Sequence, residues 1–176
     1  MSQYSNNSIL NKLTLGKNTG YSQCYDPTLL QGVPRTLNRD QLSISADSLP
    51  FYGEDVWYGY ELSWLNNKGK PIVALAEFRF PCTNINIIES KSFKLYLNSF
   101  NQTRFNSWQD VHQALVKDLT IVVDGSVDVS LFDVEKCPAL AIITTDYTCI
   151  DDQDIEITDY QLAAEHLTLS KNKNQV

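Results

Sequence analysis

Histidine is scarce in this chain, and the other metal-binding side chains are scattered along it. The 176 residues include two histidines, His112 and His166, and four cysteines with no CxxC pair among them. Zinc sites take three or four ligands from such residues at short, characteristic spacings. The sequence therefore predicts no metal site within the chain.

Long apolar runs are also missing. No stretch approaches the roughly 20 consecutive apolar residues that cross a bilayer, and the opening MSQYSNNSILNKLTLGK has no apolar segment of signal-peptide length. These absences, with the cysteines far apart, predict a cytoplasmic protein with reduced thiols and no membrane partner. The cysteines are Cys24, Cys82, Cys137 and Cys149.

Positive charge is in the minority, at 14 Lys and Arg against 21 Asp and Glu, which gives a formal net charge of −7. Proteins that bind nucleic acid usually carry a basic face, so no direct nucleic-acid partner is expected. The acid is concentrated in CIDDQDIEITD, and the lysines of ESKSFKLY, residues 89–96, form a locally basic stretch. That contrast favours a small anionic ligand.

Two alternating segments predict a β-hairpin. In DVWYGYELSWL and IVALAEFRF apolar side chains recur at every second position, and NNKGKP between them is rich in turn-forming residues. The predicted apolar sets are Val56, Tyr58, Tyr60, Leu62 and Trp64 in the first strand, and Ile72, Ala74, Ala76, Phe78 and Phe80 in the second.

Helical spacing follows the hairpin. One predicted helix carries Phe93, Tyr96, Leu97, Phe100 and Arg104 on one face. A second begins after Ser107 as N-cap, has Asp110 at the capping-box position, and ends before the Asp-Gly pair at 124 and 125. Its apolar stripe is Trp108, Val111, Leu115 and Leu119.

Two further alternating segments, SVDVSLFDV and ALAIITTDYTCI, complete a β-β-α-α-β-β order. This order predicts an α+β module, a four-stranded antiparallel sheet with two helices on one face. The predicted division is an N-terminal arm at 1–54, the module at 55–150 and a linker or tail at 151–176. Because such a sheet has two open edges and an uncovered face, a homo-oligomer is expected.

The start of the first helix is the candidate binding site. A helix beginning near Ser90, with Ser90 as a cap, points backbone N–H groups at an anion, and Lys91 and Lys94 add charge. The Glu89 carboxylate before it could accept two parallel hydrogen bonds from a guanine-like ring. The alternative is an ordinary capped and solvated helix.

ESKSFKLY resembles the signature of the NADPH-dependent 7-cyano-7-deazaguanine reductases, the nitrile reductases of queuosine biosynthesis, a tRNA modification pathway. The segments YDPTLLQGVPRTLNRD, LPFYGEDVW, YELSWLNNKGKP, LYLNSFNQTRF and CIDDQDIEI resemble the N-terminal module of the two-module form in order and spacing. The resemblance covers residues 4–160 and is weakest over 120–145. It implies the tunnelling fold.

The resemblance also implies an activity. In that family a cysteine thiolate adds to the nitrile of 7-cyano-7-deazaguanine, and two NADPH reduce the activated C=N to 7-aminomethyl-7-deazaguanine. Carried over by position, Ile88, Glu89 and Ser90 contact the substrate, and Ser90 and Lys91 contact NADPH. Lys94 is a further electrostatic candidate.

The chain differs from the family pattern in the half that carries the reactive residues. The nucleophilic cysteine and its aspartate, with other substrate and NADPH contacts, belong to a C-terminal module absent from this chain. No catalytic residue is assigned here, the isolated chain is expected to be inactive, and a homodimer is implied for the full enzyme. Cys149 lies beside Asp151 and Asp152, whose charges oppose a thiolate, and Cys82 is the least unsuitable substitute.

Two other functions stay open. One is a binding or scaffold module that keeps the fold without catalysis. The other is a pterin- or purine-acting enzyme of the same fold, such as a cyclohydrolase or aldolase, although the lysines after Glu89 have no role in that hypothesis.

Overall fold

Helices and strands occupy the first of two compact units. The computed structural model describes residues 20–139, 142, 144–161 and 163, and the chain divides after Cys137. The elements in chain order are β1 (Gly32–Pro34), α1 (Thr36–Arg39), β2 (Glu54–Leu65), β3 (Pro71–Pro81), β4 (Asn86–Ile88), α2 (Ser90–Ser99), α3 (Trp108–Val123) and β5 (Asp128–Asp133).

The main sheet has three antiparallel strands in the order β2-β3-β5. The predicted hairpin of β2 and β3 is confirmed: Leu65 pairs with Pro71 across the NNKGKP turn, where Gly69 has a φ of 79°. A second, two-stranded sheet pairs β1 with β4. The α+β class is therefore confirmed, and the short pairing of β1 with β4 is an addition that no periodic pattern announced.

The inner face of β2 differs from the prediction because of a β-bulge. The register shifts between Gly59 and Leu62, which moves the residues before the bulge to the other face of the sheet. Leu62 and Trp64 are buried as predicted, whereas Val56 and Tyr60 are 40% and 64% exposed. Trp57 packs against the core in their place.

Both long helices pack on the inner face of the main sheet. The Phe93 ring of α2 meets Phe78 of β3 at a centroid distance of 4.9 Å, and Trp108 of α3 meets Trp64 of β2 at 5.0 Å. Burial of these faces supplies most of the stabilisation, at about 25 cal/mol per Å² of apolar surface. The fully buried side chains of α2, its C-cap and α3 are Ser92, Tyr96, Ser99, Phe100, Val111, Leu115, Leu119 and Val123.

The predicted helix ends are partly confirmed. Ser107 caps α3 by accepting the N–H of Asp110 at 3.1 Å, and Asp124, with a φ of 48°, ends it. Arg104 was placed on the first helix, but that helix has its C-cap at Phe100. The chain instead turns so that Arg104 forms an isolated bridge with Leu65, because the N–H of Leu65 bonds to the carbonyl of Thr103.

The predicted last strand, over 139–150, is not found in the part of it that is described. Leu140, Ala141 and Ile143 lie outside the described residues; Ala139, Ile142 and residues 144–150 contain no strand. Ile142 and Ile150 are 101% and 70% exposed, so the described residues of this segment form no buried face. An apolar alternation forms a strand only where a neighbouring strand accepts its hydrogen bonds.

Candidate functional site

Glu89 stands between a strand and a helix. β4 ends at Ile88, and Glu89 keeps extended dihedral angles (φ −73°, ψ 126°) as the N-cap of α2. Its own N–H donates to the carbonyl of Gln31 at 2.9 Å, so the paired ribbon of β1 and β4 fixes its backbone. The helix start is thus positioned by pairing with a segment far away in sequence.

The Glu89 carboxylate is used by the helix. Its Oε1 accepts the N–H of Lys91 at 2.8 Å and its Oε2 accepts the N–H of Ser92 at 2.6 Å. A carboxylate suits this position because first-turn N–H groups lack partners within the helix and carry partial positive charge. The expectation that Ser90 caps the helix is wrong: Ser90 is its first residue.

These contacts define the setting of Glu89. The residue is 5% exposed, and two backbone N–H groups hold the carboxylate against the first turn of α2. The two capping bonds fix the orientation of the carboxylate. Glu89 is therefore a structural cap in this chain, and a ligand contact by it stays a prediction.

The other predicted site residues differ in accessibility. Ile88 is 4% exposed, and its side chain belongs to the core. Ser90 and Lys91 are half-buried in the first turn of α2, and Lys94 is exposed one turn later. The five residues are contiguous in space by virtue of the helix start, and Ser90, Lys91 and Lys94 are the ones whose side chains reach the surface.

A row of hydroxyl groups, Ser92, Ser99 and Thr103, ties α2 to the chain ahead of β1. We call residues 25–31 the N-terminal strap. Each hydroxyl accepts one backbone N–H of the strap and donates to the carbonyl three or four residues before it. The strap bonds are Gln31 N to Ser92 Oγ at 3.1 Å, Asp26 N to Ser99 Oγ at 3.1 Å, and Tyr25 N to Thr103 Oγ1 at 2.7 Å.

This row was not predicted from the sequence. Ser92 also donates to the carbonyl of Glu89 at 2.8 Å, so it joins the cap to the strap. The seven-residue spacing of Ser92 and Ser99 repeats one face of α2, and Thr103 follows in the turn after the helix. This spacing of hydroxyl residues is visible in the sequence. The N-terminal strap that they contact has no periodic pattern, so the sequence does not indicate the pairing.

A buried carboxylate closes the other end of the strap. Asp118 of α3 is 6% exposed and accepts from the hydroxyl of Tyr96 at 2.7 Å and from that of Tyr25. Burial, and then the hydrogen bond to Asp118, raises the pKa of both tyrosines. Both therefore stay protonated donors well above neutral pH.

Cysteine and acidic side chains offer no assembled reactive centre in the described part of the chain. Cys82 is half-buried and the other three cysteines are exposed. Within the described residues, no three His, Cys, Asp or Glu side chains come close enough to hold a metal ion. No helix there has both the length and the apolar character needed to cross a membrane.

Comparison with known proteins places these features in a family. Residues 21–131 match the family model described as "Nitrile reductase, 7-cyano-7-deazaguanine-reductase N-term". The chain belongs to this family. The match runs from the residues just before the strap to β5 and includes the start of α2 with Glu89, Ser90 and Lys91.

A curated relative agrees with the family match. The NADPH-dependent 7-cyano-7-deazaguanine reductase of Colwellia psychrerythraea (strain 34H / ATCC BAA-681) is 57% identical over 175 residues. The alignment covers 98% of this chain and 61% of the relative. The chain therefore spans about three-fifths of the length of the curated relative that it matches.

Proposed function

We propose that this chain is the N-terminal part of an NADPH-dependent nitrile reductase that converts 7-cyano-7-deazaguanine to 7-aminomethyl-7-deazaguanine in queuosine biosynthesis. The observation that carries the proposal is the family match over residues 21–131, which contains the helix start at 88–91. The relative's name supplies the substrate and the cofactor. A cytoplasmic location and a homo-oligomer stay predictions.

The proposed substrate contacts are Ile88, Glu89 and Ser90. The Glu89 carboxylate accepts adjacent N–H donors of the deazaguanine edge, as it accepts two adjacent N–H donors of α2. Ser90 is half-buried beside it and offers a hydroxyl. The Ile88 side chain lies in the core. Its proposed role is therefore to shape the base of the substrate site and to fix the position of Glu89.

The proposed cofactor contacts are Ser90 and Lys91. When bound, NADPH supplies hydride to the activated C=N bond. Lys91 projects from the first turn of α2 and fits a phosphate-bearing group, since an ammonium acts there as a point charge. Lys94, exposed one turn later, adds further positive potential. These residues bind and orient, and none of them performs the reduction.

The proposed fold is the tunnelling fold, with the arm at 1–54, the module at 55–150 and the tail at 151–176. The described strands and helices supply β-β-α-α-β of its order. We expect the chain alone to be inactive, because the family resemblance assigns the nucleophilic cysteine to a C-terminal module. Oxidation of NADPH by the purified chain, followed at its absorbance band with substrate present, would refute that expectation.

A binding titration tests the proposed site. The purified chain is titrated with 7-cyano-7-deazaguanine, with and without NADPH, as wild type and as Glu89→Ala. Loss of the carboxylate contact should weaken binding by about 2–3 kcal/mol. Ser107→Ala is the matched control, because it removes the N-cap of α3 and leaves 88–91 unchanged. Equal affinity of Glu89→Ala and wild type would remove Glu89 from the site.

The second candidate function is a non-catalytic scaffold module, and one observation favours it. Both oxygens of Glu89 already accept backbone N–H groups of α2. Capping of the helix is therefore enough to explain an acid at this position, without any ligand contact. A scaffold predicts no affinity for 7-cyano-7-deazaguanine or NADPH, even after the C-terminal part of a relative is added in trans. Saturable binding that Glu89→Ala weakens and Ser107→Ala does not would exclude it.

A further inference from the structure

A cavity with two arginines lies on the paired ribbon of β1 and β4. Its volume is about 200 Å³. The lining residues are Val33, Pro34, Arg35, Leu37, Asn38, Arg39 and Ile87. We call it the arginine pocket. It is separate from the side chains assigned to the proposed site at 88–91, although Ile87 is only two residues before Glu89.

The two guanidinium groups reach the arginine pocket from one side of α1. Arg35 and Arg39 are four residues apart, and residues at that spacing lie on the same face of a helix. Arg39 donates from Nη2 to the carbonyl of Cys82 at 2.6 Å, and its guanidinium carbon is 5.6 Å from the centroid of the Phe51 ring. Arg39 is therefore held in place by groups that do not neutralise it.

Arg35 carries a donor that the chain does not satisfy. The Arg35 side chain is 11% exposed and pairs through Nη2 with Asp55, but its Nε is buried with no hydrogen-bond partner among the described residues. Leaving a buried donor unpaired costs free energy, more so when the group is charged.

The charge around the arginine pocket favours an anion. Among the described residues its two guanidinium groups have one carboxylate partner, Asp55, which leaves an excess of one positive charge. This excess occurs in a chain whose formal net charge is −7. Much of the remaining lining is apolar, with Val33, Leu37 and Ile87, so the occupant combines an oxyanion with a less polar body.

We propose that the arginine pocket binds the phosphate group of a small phosphate ester. Phosphate fits better than carboxylate for two reasons. Its three acceptor oxygens can meet donors that arrive from two separate side chains, and its charge near −2 exceeds that of a carboxylate. A volume of about 200 Å³ leaves room for part of the ester beside Val33 and Leu37.

The proposal goes beyond the proposed function, because it concerns neither 7-cyano-7-deazaguanine nor the residues at 88–91. The probe is inorganic phosphate, titrated at constant ionic strength, and the readout is the NMR resonances of the backbone N–H groups of Val33 and Leu37, which line the pocket. These resonances should shift and saturate as phosphate binds beside them. Acetate, titrated in the same way, should bind more weakly.

Two variants with equal charge change complete the test. Arg39→Gln should weaken phosphate binding by about tenfold, the effect of one charge-assisted hydrogen bond. It keeps the pair of Arg35 with Asp55, which Arg35→Gln would break. Lys68→Gln, at an exposed turn position, should change it by less than about twofold. Three results would each overturn the proposal: unmoved Val33 and Leu37 resonances, acetate binding as tightly as phosphate, or equal weakening by both variants.

Discussion

At the scale of single residues, Glu89 shows why a helix cap and a ligand contact must be tested separately. Its carboxylate accepts the N–H groups of Lys91 and Ser92, so any substitution there also loosens the start of α2. A cap of this kind contributes about 1 kcal/mol. Ser107→Ala removes a comparable cap on α3, and a difference between the two variants in ligand affinity isolates the ligand contact.

Tyr96→Phe should lower stability and flatten its dependence on pH. At neutral pH the variant removes a donor to the buried Asp118 carboxylate, at a cost of about 1–3 kcal/mol. Burial, and then Asp118, raises the pKa of Tyr96 in the folded protein. In the unfolded chain a tyrosine titrates near pH 10, so the folded state keeps a proton that the unfolded state loses, and stability falls as pH rises past that value.

Urea unfolding between pH 8 and pH 11 measures this effect. The wild-type free energy of unfolding should fall above about pH 10 by up to about 1.4 kcal/mol per pH unit for each such tyrosine. Tyr96→Phe should remove the contribution of one tyrosine to that slope. Tyr52→Phe is the control, because that side chain is 98% exposed. Identical slopes in Tyr96→Phe and wild type would show that Tyr96 keeps no elevated pKa.

At the scale of elements, local patterns predicted the parts whose burial is decided locally. The stripe of α3 and the inner face of β3 follow from spacing alone, and Ser107 follows from capping chemistry. The bulge in β2 could not be predicted, since it depends on how β2 pairs with β3 and not on the composition of either strand. β4 was missed because three residues are too few to show a period.

The candidate site was predictable to a different extent. The string at 89–96 identified the family, and the comparisons confirm the family. The backbone bond of Glu89 to Gln31 and the row formed by Ser92, Ser99 and Thr103 depend on a strap about 60 to 80 residues away in sequence. Hydrogen bonds between distant, non-periodic segments leave no pattern in a single sequence, so these contacts required the structure.

Gly125→Ala should destabilise the turn between α3 and β5. A Cβ at Gly125 would lie 2.2 Å from Oδ1 of Asn84. Asn84 is 3% exposed and fastens this turn, accepting the N–H of Ser126 at 3.0 Å and donating to its carbonyl at 2.8 Å. Overpacking of this kind costs about 1–3 kcal/mol, measured as the free energy of unfolding in urea.

Gly20→Ala is the matched control for that substitution. A Cβ at Gly20 meets no atom within 4 Å, so this variant should change stability by less than about 0.5 kcal/mol. Equal effects of the two variants would mean that the cost at Gly125 comes from the chemistry of the exchange and not from the contact with Asn84.

Ser99→Ala should release the strap from α2. Ser99 is 1% exposed, and its hydroxyl accepts the N–H of Asp26 at 3.1 Å. Without it a part-buried N–H loses its partner, at a cost of about 1–3 kcal/mol. Amide hydrogen exchange of Asp26 should accelerate, while Ser130→Ala at an exposed position of β5 should leave it unchanged. Unaltered exchange at Asp26 in Ser99→Ala would mean that the strap is held by other contacts.

At the scale of the whole molecule, the stabilising core lies in the first of the two units. Every residue of the buried apolar cluster falls between Leu30 and Val129, whereas residues 144–161 are exposed throughout. Burial of apolar surface is the dominant favourable term in folding. The free energy of unfolding should therefore depend on residues 1–137 and be nearly indifferent to the rest.

Deletion of residues 138–176 tests this directly. The shortened chain should unfold in one cooperative urea transition, with a free energy within about 0.5 kcal/mol of the full chain and nearly the same dependence on urea, because a segment that is already exposed adds little to the surface exposed on unfolding. Circular dichroism in the far and near ultraviolet reports both the helices and the packed aromatic rings. Loss of the near-ultraviolet signal, or a broad transition, would contradict this expectation.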